Sequence, residues 1–107
     1  MSLDAPLGAF EEQVMVALLR ARDDNYGMAV RRVLEEVTGR DVAVGAVYAT
    51  LDRLEAKGLV LSRRADRDEV SRRLFTVTAA GARALEATRS MRERLWRGVN
   101  LAPLLAR

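Results

Sequence analysis

The chain has no cysteine and no histidine among its 107 residues. Without cysteine there are no disulfides and no thiolate metal sites. Without histidine the commonest general base and metal ligand are missing. Aromatic residues make up only 5% of the sequence, so the core must come mostly from leucine, valine and alanine. No apolar run approaches membrane-spanning length. No basic-then-apolar secretion signal opens the chain, and a cytoplasmic protein is the expectation. A glycine-rich phosphate loop, a nucleophile–base set and a metal-ligand cluster are all lacking. General acid–base catalysis has no evident players. Neither an enzyme nor a bound cofactor or metal is expected.

What is present fits one small domain. Half of the residues are hydrophobic, enough for a real but small core. The formal net charge is +3, an arginine-rich excess compatible with nucleic acid but not diagnostic of it. Residues 42–60, VAVGAVYATLDRLEAKGLV, organise the rest. Val44, Val47, Leu51 and Leu54 recur at helical spacing and are expected to face a core. The opposite side collects Gly45, Ala46, Ala49, Arg53 and Ala56. A plain solvent face would carry mostly Glu and Lys. Small residues with one arginine suit close approach to another surface, such as a DNA major groove. A small core helix of any α+β domain is the competing reading. Gly58 is placed to stop this helix in the left-handed conformation.

Upstream, residues 10–21 read as a first helix. Glu11 and Glu12 sit in its first turn, where acids suit the helix dipole. Residues 14–19 are apolar on every side; a buried strand is the alternative, but the helix-forming lead-in and the length favour a helix. Such a helix needs cover on two sides, from its own domain and from a partner chain or the C-terminal helix. Residues 26–38 read as a second helix, with Tyr26, Val30, Val33 or Leu34, and Val37 inward and Gly39 as its stop. Two helices joined by a short polar segment, the second presenting small residues, give a helix-turn-helix outline.

After Gly58 the period changes. Residues 59–65 and 74–77 read as strands around a polar tip at 66–71, flanked by Arg63, Arg64, Arg72 and Arg73. A hairpin after a helix-turn-helix is a wing, and its arginines suit phosphate or minor-groove contact. The competing reading is a solvated hairpin whose charges pair off. Thr78 is a natural N-cap for a final helix to about residue 100, roughly 30 Å long. Gly81, Ala84, Leu85, Thr88, Met91, Leu95, Trp96 and Val99 form its apolar stripe. A helix this long outruns so small a domain and predicts a homodimer. Pro103 bars continuation, and Leu101, Leu104 and Leu105 are placed to fold back as a cap. The expected fold is mainly α with a small β-hairpin (α+β): a winged helix-turn-helix over residues 1–78, then a long C-terminal dimerisation helix and tail over 79–107. The dimer face is expected to use Phe10, Val14 and Leu18 with Leu85, Thr88, Met91, Leu95, Trp96 and Val99.

This order of elements resembles the PadR family of bacterial transcriptional regulators. The resemblance lies in Leu7-Gly8, Phe10-Glu11, Ala17-Leu18-Leu19, Tyr26-Gly27, the block from Gly45 to Val60, Phe75-Thr76-Val77-Thr78 and Gly81. It spans residues 7 to about 90, and the block from Gly45 to Val60 is its specific part. The single helix after the wing resembles the short subfamily. The resemblance implies a homodimer on a palindromic operator of double-stranded DNA, acting as a repressor. Half-sites one turn apart would lie about 34–36 Å from each other. By position Gly45, Ala49, Thr50 and Arg53 are the base-facing candidates. Tyr48, Lys57 and Tyr26 are backbone candidates, which would position the protein without reading sequence. Tyr48 as a half-buried core residue is the other reading. The wing departs from the family pattern, because Asp68, Glu69 and Val70 stand where many members carry two glycines and a basic residue. A carboxylate tip repels phosphate, so wing contact is expected at Arg64, Arg72 and Arg73. Some short members bind planar apolar compounds between the two C-terminal helices. Here Trp96 is the stacking candidate, with Met15 and Met91 as lining; packing of the dimer seam is its plainer use. Arg92 near the stripe either pairs with an acid across the interface or meets an anionic effector. A winged helix used only for protein contact, without specific DNA binding, is the alternative function.

Overall fold

The computed structural model describes residues 6–67 and 70–107, with the side chains at 66–71 outside the description. The elements follow in the order α1 (Ala9–Ala21), α2 (Gly27–Thr38), α3 (Val44–Ala56), β1 (Val60–Arg67), β2 (Val70–Val77), α4 (Ala79–Trp96) and α5 (Ala102–Leu105). The fold is mainly helical with one antiparallel hairpin, a winged helix. No helix among the described residues is long and apolar enough to cross a membrane.

Helices α1, α2 and α3 meet around one core. Val14, Met15, Ala17 and Leu18 enter it from α1, Val30 and Leu34 from α2, and Val47, Leu51 and Leu54 from α3. Val60 and Phe75 close it from the hairpin. Gly58 ends α3 at φ +76°, where a side chain would be strained. Its N–H bonds the Glu55 carbonyl at 2.9 Å, and the Leu59 N–H bonds the Leu54 carbonyl at 2.9 Å. This paired closure satisfies two orphan carbonyls and aims the chain into β1. On the outer side of β2, the Phe75 N–H donates to the Asn25 carbonyl at 2.8 Å. The Asn25 side chain returns a bond to the Phe75 carbonyl at 2.7 Å. The turn between α1 and α2 thus holds the wing at one residue.

Thr78 caps α4 by accepting from the Gly81 N–H at 3.0 Å. Gly81 lets α4 touch the body closely: a Cβ there would sit 2.1 Å from the Leu59 carbonyl oxygen. Thr88, 3% exposed, accepts from the Leu7 N–H at 3.1 Å. Arg92 pairs with Glu12 of α1. Beyond these ties α4 leaves the body. It ends at Trp96, not near residue 100, because the chain turns through Gly98 at φ +80°. Asn100 Oδ1 then accepts from the Ala102 N–H at 3.0 Å and starts α5. Leu101, Leu104 and Leu105 stay exposed rather than folding back onto this chain.

Several expectations are corrected. Val14 and Leu18 are buried in the chain's own core and are unavailable to a partner, as is Thr88. The exposed large apolar residues of α1 are Val16 and Leu19 instead. A helix apolar all round gives no angular signal to say which stripe faces inward. Phe10 and Leu85 pack half-buried against the same core. Met15 is fully buried and cannot line a ligand site with Trp96, which is 55% exposed. Val37 is exposed because the chain from Glu36 to Asp41 stands clear of the core. Val44 is exposed because α3 begins there, one turn before the buried stripe. Strand β2 begins at Val70 rather than Leu74, since pairing runs through Arg64↔Arg73, Ala65↔Arg72 and on to Arg67↔Val70. A two-stranded ribbon beyond the core has water on both faces, so polar residues there do not signal a loop. The carboxylates expected at the tip, Asp68 and Glu69, lie outside the described residues.

Candidate nucleic-acid interface

Gly45, Ala46, Ala49, Arg53 and Ala56 are all exposed along one side of α3. Thr50, expected among the base-facing residues, is only 1% exposed. It falls between Val47 and Leu54 at helical spacing and so belongs to the core side. Its hydroxyl nevertheless acts at the surface, accepting from Arg53 Nη2 at 3.0 Å.

The wing is fixed to α3 by a charged cluster. Arg73 donates to Asp52 and to Glu55, each at 3.0 Å, and lies 4.8 Å above the Phe75 ring centre. Glu55 also accepts from the Ser62 N–H at 2.9 Å and the Ser62 hydroxyl at 2.7 Å. These Ser62 bonds, with Arg73 adding to them, hold the Glu55 carboxyl below its ordinary range. Arg73 therefore stabilises the joint between wing and helix, and its charge is already matched by two acids. At the same C-terminal end of α3, the cap residue Lys57 donates to Glu11 of α1 at 2.8 Å. That bond lowers the Glu11 carboxyl, against the opposing effect of burial.

Between the start of α2 and the wing lies an open cleft of about 580 Å³. Tyr26, Met28, Arg32, Tyr48, Arg64, Arg72 and Arg73 line it. The Arg72 guanidinium sits 4.4 Å over the Tyr26 ring centre, and that of Arg32 sits 5.8 Å from it. Arg32 also donates to the Tyr26 hydroxyl. Tyr48 is half-buried, with its ring packed on the bare backbone of Gly27. A Cβ at Gly27 would lie 2.3 Å from the ring, so the Tyr26-Gly27 pair is what admits Tyr48. The structure thus gathers Tyr26, Tyr48, Arg64 and Arg72 in one place. Arg32, which sequence reasoning missed, joins them from α2. Its only signal is a tyrosine at the helix start followed by an arginine less than two turns later.

At the far end of the molecule Leu95, Trp96 and Val99 are exposed, and Met91 is half-buried. Arg92 faces Glu12 of its own chain, so the acid it meets needs no interface.

Three packed helices followed by a hairpin, with a small-residue helix face beside an arginine-lined wing, define a winged-helix protein. Residues 15–87 match the Transcriptional regulator PadR-like family, and the chain belongs to that family. Its members are transcriptional regulators, not enzymes. The chain is 43% identical over 61 residues to the transcriptional regulator Rv3488 of Mycobacterium tuberculosis, covering 57% of each chain. It spans 21% of the length of a second curated relative. Among solved structures, RosR of H. salinarum superposes with a TM-score of 0.63 at 25% identity, covering 94% of this chain and 91% of that one. BpsR of Bordetella bronchiseptica gives a TM-score of 0.65 at 22% identity, over 98% and 76% of the two chains, and shares the fold.

Proposed function

We propose that this protein is a sequence-specific DNA-binding regulator that represses as a homodimer on a palindromic operator. The observation that carries the reading is the pairing of two surfaces on one side of the molecule. The face of α3 is small enough to enter a major groove, and the cleft beside it is lined by Arg32, Arg64 and Arg72, side chains suited to the phosphates flanking that groove. Arg72 and Arg32 stacked on Tyr26 are the backbone contacts, with Arg64 and the Tyr48 and Lys57 side chains as flanking ones. Gly45, Ala49 and Arg53 face the bases. The segment over residues 79–107 serves as the dimerisation helix and tail, through Met91, Leu95, Trp96 and Val99 with Val16 and Leu19 of α1.

An effector reading rests on Trp96. The BpsR structure concerns regulation of DNA binding by 6-hydroxynicotinic acid, a planar aromatic acid. In this chain Trp96 and Met91 offer a stacking surface to a planar apolar effector between two copies of α4, with Arg92, paired to Glu12, at its edge. An effector seated there would change the angle between subunits and shift the recognition helices off their half-sites.

Fluorescence anisotropy against DNA from the protein's own upstream region, at two salt concentrations, tests the function. Tight binding that survives excess random DNA is the expected result. Its logarithmic salt slope should fall by about 1 in Arg72→Ala and in Arg32→Ala. Equal competition by random DNA removes the specific-regulator reading. Salt-independent behaviour or no binding moves the helix face to a protein-docking role. Quenching of Trp96 by planar aromatic acids, with a shift in DNA affinity, is expected if the effector site exists, and its absence across a panel ends that part of the proposal.

A further inference from the structure

The outward side of α3 is poor in groups that can read bases. Gly45, Ala46, Ala49 and Ala56 carry no polar side-chain atom. Asp52, also on this side, is taken by Arg73. Arg53 is left as the long polar side chain of the face. Its position is set by the bond from Nη2 to Thr50 Oγ1, and Thr50 is buried, so this acceptor is fixed. The bond turns the guanidinium back along the helix, the direction in which helical side chains already lean. Glu11 of α1, whose carboxyl also feels the Arg53 charge, is engaged by Lys57. Four of the five guanidinium N–H donors remain for a ligand.

Resting on the reading of α3 as the DNA-reading helix, we infer that Arg53 is the specificity-determining residue and reads one guanine in each half-site. The planar fork matches the O6 and N7 acceptors that guanine presents in the major groove. The methyl groups of Ala46 and Ala49 on either side suit the C5 methyl of thymine, an apolar contact that cytosine and the purines do not offer. Thr50 is a positioning residue: it touches no base but holds the guanidinium in the plane of the guanine edge. An arginine on phosphate would behave otherwise, weakening all sequences alike when removed.

The test is selection of duplexes from a randomised pool by the full chain, followed by titrations of Arg53→Ala, Arg53→Lys, Thr50→Val and Thr50→Ser. The selected motif should contain one invariant guanine per half-site with thymine beside it. Replacing that guanine should cost the unaltered protein about 10- to 100-fold in affinity. Replacing it with 7-deazaguanine, which lacks only the N7 acceptor, should cost part of this. Arg53→Ala should bind the two duplexes equally while melting like the parent protein, since Arg53 is exposed. Thr50→Val should reduce the discrimination, and Thr50→Ser should restore it. A motif without an invariant guanine overturns the inference while leaving the regulator reading intact. So does an Arg53→Ala variant that weakens every duplex alike. A protein that selects no sequence at all overturns both.

Discussion

The body of the molecule and its C-terminal arm use similar apolar residues to opposite ends. Up to Thr88 the chain completes its own core, with Val14, Met15, Val30, Val47, Leu51, Leu54, Val60 and Phe75 all at 0% exposure. Beyond Thr88 none of the described residues is buried. Leu95 is 71% exposed and Leu105 79%. Short isolated helices are marginal in water. Within the chain the end of α4 is supported by surface ion pairs, Arg89–Glu93 at 3.1 Å and the tie from Arg92 to Glu12 of α1. The difference teaches that hydrophobic periodicity marks an apolar face without saying whether the chain itself buries it.

The contrast breaks most sharply under truncation. Phe75→Ala should cost about 3–5 kcal/mol of stability in urea unfolding, by lost transfer energy and the cavity left behind. Trp96→Ala should change unfolding of the dilute protein by less than about 0.5 kcal/mol, as a surface change. Its effect should emerge only as protein concentration rises, in sedimentation equilibrium. Equal effects of the two changes at low concentration would erase the distinction.

Gly81→Ala tests the joint between the two regions. The new methyl would meet the Leu59 carbonyl oxygen, and α4 must shift to relieve the contact. A loss of about 1–3 kcal/mol in thermal or urea unfolding is expected. Arg92→Ala removes the tie from α4 to Glu12. An exposed pair of this kind should contribute no more than about 1 kcal/mol, so the variant should melt within a few degrees of the parent.

Acid sharpens the comparison from the side of the body. Glu11 and Glu55 are both held below their ordinary value of 4.5 in the folded state. The unfolded chain takes up these protons first, so their contribution is complete above that value and is lost as the pH falls through the lower folded values. Unfolding midpoints measured from pH 6 down to about 3 should decline less steeply in Glu11→Gln and Glu55→Gln than in the parent protein. Parallel declines would remove these two carboxylates as a source of acid sensitivity.

Much of this architecture is written in local signals. The stop at Gly58, the cap at Thr78 and the spacing of Val47, Leu51 and Leu54 each name an element by its own residues. What escaped local reading shares one cause, the dependence on distant partners. Thr50 is polar, and only the packing of α3 turns it inward. Arg73 looks like a wing arginine ready for phosphate until Asp52 and Glu55 fold beside it, 21 and 18 residues away in sequence. Arg32 joins the wing because Tyr26 stands between it and Arg72. Ion-pair partners so far apart leave no periodicity to detect.

The bond pair between Asn25 and Phe75 joins positions 50 residues apart. Opening the wing at that point means opening the turn between α1 and α2 as well. Amide hydrogen exchange should register this as a gradient along a single strand. The Phe75 amide should be replaced by solvent deuterium as slowly as the amides of the three-helix body. Those of β2 nearer the tip should exchange on the timescale of a free ribbon.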